Sequence, residues 1–160
     1  MPSAAAGKRT SRDPGETHEL GRRIGAVAAA GTVLALTGEL GAGKTVLAKG
    51  VAAGLGVASV VNSPTFVLMN EHAGRLRLYH IDAYRLGAPE EASDAGLLDE
   101  RQVDGVTVVE WADRLEGWLP LERLEIRLDT PPGEPMRRIL RWKACGAAHE
   151  RLVREALETP

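Results

Sequence analysis

The sequence predicts an α/β fold built on a mixed, partly antiparallel sheet. Three observations carry this. The apolar run Thr32-Val33-Leu34-Ala35-Leu36-Thr37 leads through a glycine loop into a helical pattern. A second buried run, Gly105-Val106-Thr107-Val108-Val109, closes on Glu110. Segments that read as hairpins add antiparallel strands beside this parallel-type core.

The elements follow in order. Met1 to about Asp13 is small, polar and basic and reads as a disordered tail, leaving residues 14–160 as one domain. Thr17 is placed to cap a first helix running to about Ala30. Leu20, Ile24, Val27 and Ala28 fall at helical spacing, and Gly31 stops it. After the first strand and its loop, Thr45 to about Leu55 is helical, with Leu47, Ala48, Val51, Ala52 and Leu55 on one face. Gly54 and Gly56 close that helix. A polar connection, Val60 to Thr65, leads into a hairpin of Phe66–Glu71 and Arg75–Asp82 around Ala73-Gly74. Pro89-Glu90-Glu91 opens a short helix, since proline suits a first turn and acids suit the positive helix end. Beyond Glu110, a short helix or loop spans Trp111 to Trp118. Leu121–Leu128 and Arg138–Lys143 read as late strands across Pro131-Pro132-Gly133. A last helix, about Ala147 to Leu157, buries Leu152, Val153, Ala156 and Leu157.

Bulk composition narrows the function classes. At 160 residues the chain is long enough to bury a sizeable core. A formal net charge of −2 gives no whole-domain attraction to nucleic acid. Cys145 is the single cysteine, so no internal disulfide can form, which fits a cytoplasmic setting. No apolar run reaches membrane-spanning length, and the first residues lack the apolar segment of a signal peptide.

Gly38-Glu39-Leu40-Gly41-Ala42-Gly43-Lys44-Thr45 fits the phosphate-binding pattern G-x-x-x-x-G-K-[ST] at every fixed position. A strand before it and a helix after it give a concave array of backbone N–H groups at a helix N-terminus, where the dipole favours anions. Glu39, Leu40, Gly41, Ala42 and Gly43 form the cradle, Lys44 adds a mobile cation for the outer phosphates, and the Thr45 hydroxyl is a magnesium ligand. A glycine-rich turn with an incidental lysine would not explain strand, spacing and helix together. The expected ligand is a nucleoside triphosphate with Mg²⁺, and the expected architecture is three-layered and P-loop NTPase-like. No N-K-x-D-type guanine motif stands in the sequence, which favours ATP.

Phosphoryl transfer to water needs a phosphate cradle, a magnesium ion and a group that places the water. Glu110 ends an apolar strand, where α/β proteins carry ligand groups, and is expected to bind Mg²⁺ directly or through water. Asp82 follows Leu76, Leu78 and His80 on one strand face. It either completes an oxygen-rich magnesium site, orients the water, or pairs with Arg85. Thr65 lies in the loop after the phosphate-binding helix, where P-loop switches sense the outer phosphate. His80 reads as a packed or hydrogen-bonded histidine, and Trp111 as core or as a cap on the site. Arg137, Arg138, Arg141 and Lys143 read as a solvated sheet face, with a partner or RNA contact as the alternative; alternation sets Leu140 and Trp142 opposite Ile139, Arg141 and Lys143.

Four ordered segments resemble the TsaE family of bacterial P-loop ATPases, needed to make threonylcarbamoyladenosine in tRNA. They are Gly38 to Thr45, Ser63-Pro64-Thr65-Phe66, Tyr79-His80-Ile81-Asp82-Ala83-Tyr84-Arg85-Leu86, and Val108-Val109-Glu110-Trp111. The Glu90-Glu91 and Gly96-Leu97 region is also similar, so the likeness runs from about Thr17 to Gly146. The resemblance implies that Lys44 and Thr45 bind phosphate and Mg²⁺, Glu110 ligates the metal, Asp82 serves hydrolysis, and Ser63-Pro64-Thr65 is a switch-like loop. It also implies two partner proteins, TsaB and TsaD, which modify adenosine in ANN-decoding tRNAs, so contact with tRNA is indirect. The ATPase would drive or reset that complex. A small-molecule kinase, or a non-catalytic nucleotide-gated binding module, are the alternatives that the loop alone leaves open.

Overall fold

The computed structural model describes residues 4–59, 61, 69–84 and 103–160. Its strands are β1 (Ala4–Ser11), β2 (Val33–Thr37), β3 (Met69–His72), β4 (Arg77–Asp82), β5 (Gly105–Glu110), β6 (Arg123–Asp129) and β7 (Arg138–Cys145). Its α-helices are α1 (Pro14–Val27), α2 (Lys44–Gly54) and α3 (Ala147–Ala156), with a short 3-10 helix at Ala112–Leu115. The strands form one sheet in the order β1-β7-β6-β2-β5-β4-β3. The centre, β6-β2-β5-β4, is parallel, whereas β7, β1 and β3 run antiparallel to their neighbours. This is the mixed α/β sheet expected. The parallel strands are apolar because both of their faces are covered: every residue of β5 is buried.

Alternation sorts the side chains. Leu34 and Leu36, Val106 and Val108, Leu124 and Ile126, and Leu140 and Trp142 join the main core under the three α-helices. The opposite face holds a smaller cluster of Ala35, Ile81, Val109, Ala112 and Leu115. Among the described residues, no helix is long and apolar enough to cross a membrane.

Two expectations need correction. Ala4–Ser11 is not a tail: it pairs with β7 along the whole strand, from Ala4 opposite Cys145 to Ser11 opposite Arg138. Its small, polar residues lack an apolar face, but β7 needs a partner for its outer edge, and main-chain pairing supplies one. Gly7 lies flat under the Trp142 ring, where a Cβ would stand 2.5 Å from Cζ2. Arg9 Nη1 then donates to the Leu157 and Thr159 carbonyls at 2.9 and 2.6 Å, tying the strand to the far end of the chain. The second correction concerns the cap of α1. Asp13, not Thr17, caps it: Asp13 Oδ1 accepts from Glu16 N at 2.8 Å, and Pro14 begins the helix. Thr17 is buried one turn in and shares a 2.6 Å hydrogen bond with Ser11. The predicted connection over 60–65, the first part of the hairpin, and the helix opening at Pro89 lie outside the described residues, apart from Val61.

The loop helix α2 is held by an unusually close neighbour. Gly21 and Gly25 of α1 face Gly50 and Gly54 of α2, and a Cβ on any of them would fall 2.1–2.4 Å from a carbonyl oxygen of the other helix. Side-chain-free surfaces let the two backbones touch, which fixes the axis of α2 and hence the direction of its N-terminus. Helix propensity alone predicts that Gly50→Ala stabilises the chain by about 1 kcal/mol. The clash with the His18 carbonyl reverses that sign: urea unfolding should show a net loss of about 2 kcal/mol. A gain would show that the helices have room to part.

Candidate functional site

The parallel register decides what meets at the site. Leu36 of β2 stands beside Glu110 of β5, and Glu110 beside Asp82 of β4. The glycine loop therefore leaves β2 next to two carboxylates at adjacent strand ends, the crevice where open α/β sheets bind ligands. Gly38, Gly41 and Gly43 all take positive φ, at 140°, 79° and 101°. At Gly38 a Cβ would also meet the Leu128 carbonyl at 2.6 Å. Lys44 begins α2, so the loop ends on the positive end of a helix dipole.

Lys44 is folded back. Its Nζ donates to the Gly38 and Glu39 carbonyls at 2.6 and 2.8 Å and lies 4.0 Å from the centre of the Trp111 ring. Burial pulls its pKa below the usual lysine value, opposed by the charges of Glu110, Asp113 and Asp82. Trp111 holds its ring there from a left-handed backbone, φ 58° and ψ 42°. Tyr84 packs against that ring with centroids 4.9 Å apart, and the Arg114 guanidinium lies over Tyr84. Trp111 is thus a cap on the site.

Glu110 is 2% exposed, and its two oxygens are held by different elements. Thr45 Oγ1 donates to Oε1 at 2.8 Å. His80 Nε2 lies 2.5 Å from Oε2, and because a carboxylate only accepts, that nitrogen carries the hydrogen. His80 is fully buried, which fits the packed, hydrogen-bonded histidine expected. Asp82 is half-buried, and its Oδ1 accepts from Tyr84 N at 2.9 Å. Burial raises the Asp82 pKa, the Tyr84 N–H lowers it, and the Glu110 charge raises it.

Leu40, Gly41, Ala42, Gly43, Lys44 and Thr45 line a cavity of about 370 Å³ with Asp82, Glu110 and Trp111. Two larger hollows, about 590 and 560 Å³, lie on the opposite sheet face and beside α3. Neither is lined by the glycine loop, and size does not outweigh converging N–H groups, an ammonium and carboxylates. Among the described residues, no three His, Cys, Asp or Glu side chains form a metal cage. The donors at the loop are instead hard oxygens, a hydroxyl and carboxylates. They suit Mg²⁺, which keeps waters and is completed by substrate phosphates.

The structure brings the predicted residues Glu39 to Thr45, Asp82 and Glu110 together, while Thr65 and Arg85 lie outside the described residues. The basic residues of the late hairpin separate. Arg141 pairs with Asp129 at 3.0 Å, Arg137 pairs with Glu134 at 3.2 Å, and Lys143 is exposed. Arg138 instead turns to the glycine loop, donating to the Ala42 and Gly41 carbonyls at 2.9 and 3.1 Å. Sequence reasoning did not separate it from its neighbours. Its position at the start of a strand, beyond the proline-rich turn, was the only available signal.

The His80–Glu110 contact makes a quantitative prediction. His80→Leu removes one donor from a buried carboxylate and should cost about 2–3 kcal/mol in urea unfolding. Adding Glu110→Leu should cost much less than its separate effect, because the orphaned charge is gone. Additive losses would show that the two side chains are not coupled.

Comparison with known proteins places this geometry. The family profile described as threonylcarbamoyl adenosine biosynthesis protein TsaE matches residues 11–139. The tRNA threonylcarbamoyladenosine biosynthesis protein TsaE of Bacillus subtilis (strain 168) is 43% identical over 144 residues, covering 89% of this chain and 89% of its own length. That of Streptomyces coelicolor is 44% identical over 120 residues, covering 72% and 80%. The crystal structure of Bacillus subtilis YdiB superposes with a TM-score of 0.78 at 35% identity, covering 99% of this chain and 98% of YdiB.

Proposed function

The chain belongs to the TsaE family of threonylcarbamoyl adenosine biosynthesis proteins, and from that premise we propose that it is an ATP-binding, ATP-hydrolysing accessory protein of this tRNA modification. The observation that carries the proposal is the Thr45–Glu110 hydrogen bond at the mouth of the glycine loop. It sets a hydroxyl and a carboxylate side by side where a triphosphate would end.

In this reading the loop N–H groups and the start of α2 hold the phosphates. Lys44 leaves the Gly38 and Glu39 carbonyls and the Trp111 ring for the outer phosphates. Thr45 and Glu110 would hold Mg²⁺, which when bound would supply neutralising charge for the phosphate oxygens. His80 keeps the Glu110 carboxylate turned toward Thr45. Asp82, one strand farther from the loop, orients the attacking water, and Trp111 and Tyr84 shield the site from bulk solvent. Thr65 serves as the sensor of the outer phosphate.

The products are ADP and phosphate, released slowly by the chain alone. TsaB-like and TsaD-like proteins stimulate turnover, and the ATPase drives or resets their transfer cycle on position 37 of ANN-decoding tRNAs in the cytoplasm. ATP turnover of the purified chain, with and without purified TsaB and TsaD, tests this. Weak phosphate release that rises with both partners is the expected result. Phosphorylation of an acceptor would favour a kinase, and absence of binding to the pair would contradict the role. Lys44→Ala should weaken triphosphate binding roughly tenfold to a hundredfold, while Thr45→Ala should blunt the magnesium dependence. Normal Mg-ATP hydrolysis in both variants would remove the proposed site.

A further inference from the structure

An anion cradle has two requirements. Backbone N–H groups must point inward, and the carbonyl oxygens of the same loop, which would repel phosphate, must be held outward. Three sets of partners take the carbonyls of the glycine loop, and they differ in whether they can stay in place when an anion binds. Lys44 Nζ takes the Gly38 and Glu39 carbonyls. Leu47 N, inside α2, takes the Gly43 carbonyl at 2.9 Å. The carbonyls of Gly41 and Ala42 go to Arg138, which is 97 and 96 residues away in sequence.

The geometry points to Arg138 as a positioning residue for the phosphate loop. Its Nε donates to the Ala42 carbonyl and its Nη2 to the Gly41 carbonyl. Its Nη1 donates to the carbonyls of Pro135 and Arg137, both at 2.7 Å. Four of the five donors of a planar guanidinium are thereby fixed, which locks its plane against the loop. In a trans peptide the N–H points away from the C=O, and no cis peptide occurs among the described residues. Holding the Ala42 carbonyl outward therefore aims the Gly43 N–H inward. Holding the Gly41 carbonyl fixes the peptide plane that carries the Ala42 N–H, which donates to the Glu39 carbonyl at 3.0 Å and closes the loop's turn.

This role differs from that of Lys44. Lys44 must let go of its carbonyls to reach a phosphate, so its hold on the loop ends when ligand binds. Arg138 approaches from β7, on the side away from Asp82 and Glu110, and keeps its grip with ligand present. It acts through the loop and touches no phosphate itself.

The inference rests on the nucleotide-binding reading above, and the test separates the two. Binding of ATP, ADP and AMP is measured by calorimetry for the wild-type chain, Arg138→Gln and Arg138→Lys, beside ligand-free melting and amide hydrogen exchange over residues 39–45. Both variants should lose about tenfold or more in ATP affinity, lose affinity for ADP, and leave that for AMP unchanged. Exchange in the loop should rise while the melting temperature changes little. Lysine keeps the charge but not the fork, so full rescue by Arg138→Lys would overturn positioning in favour of charge alone. Undiminished ATP affinity in Arg138→Gln would overturn it too, as would an equal loss for ATP and AMP. Should Arg138→Gln fail to fold, Arg138→Lys decides by the same affinities and exchange. If the wild-type chain binds no ATP, the nucleotide reading fails. Loop exchange in Arg138→Lys then still decides whether Arg138 holds the loop, and unchanged exchange overturns that hold.

Discussion

The buried carboxylate of Glu110 is the constraint around which the site is organised. Removing a carboxylate from water costs several kcal/mol unless donors replace the lost hydration. Here a hydroxyl from the start of α2 and an imidazole from β4 do so. The same bonds dock the phosphate-loop helix onto the strand end beside it. Thr45 can reach Glu110 only if α2 points along one direction, and that direction is set by the glycine contacts between α1 and α2. Packing on one side of the helix thus fixes chemistry at its tip.

Around this fixed centre the cations are arranged in two ways. Lys44 is held from within the cavity, by two loop carbonyls and by the face of Trp111. Arg138 is held by four carbonyls from two loops and is not free to follow a ligand. The left-handed backbone of Trp111 costs about 1–3 kcal/mol for a bulky residue and places its ring against Lys44 immediately after Glu110.

Much of this was legible in the sequence because it is local. The spacing from Gly38 to Thr45 needs only a strand, a turn and a helix, and each is marked by its own residues. Glu110 and Asp82 could be placed at strand ends because the apolar runs stop there. Alternation in β7 separated Leu140 and Trp142 from Arg141 and Lys143, and burial follows that division. What escaped is long-range. β1 carries no apolar stripe, and its reason for being a strand is the open edge of β7. Gly54 is legible as the end of its helix, but the role of Gly21, Gly25, Gly50 and Gly54 as a contact surface exists only once the facing helix is in place. The cap of α1 is local: Asp13-Pro14 sets a capping residue before a helix-starting proline, ahead of Thr17. Arg138 is one arginine among several in its hairpin, and only the folded chain brings it to the loop.

In the proposed function Thr45 and Glu110 form one magnesium site that serves the loop's phosphates. A double-mutant cycle on ATP affinity tests it most directly, using Thr45→Ala, Glu110→Gln and the pair, each with Mg²⁺ and with EDTA. Each single variant should lose the magnesium-dependent part of the affinity, the pair should lose little more, and all should bind alike in EDTA. Additive losses, or losses that persist in EDTA, would contradict it.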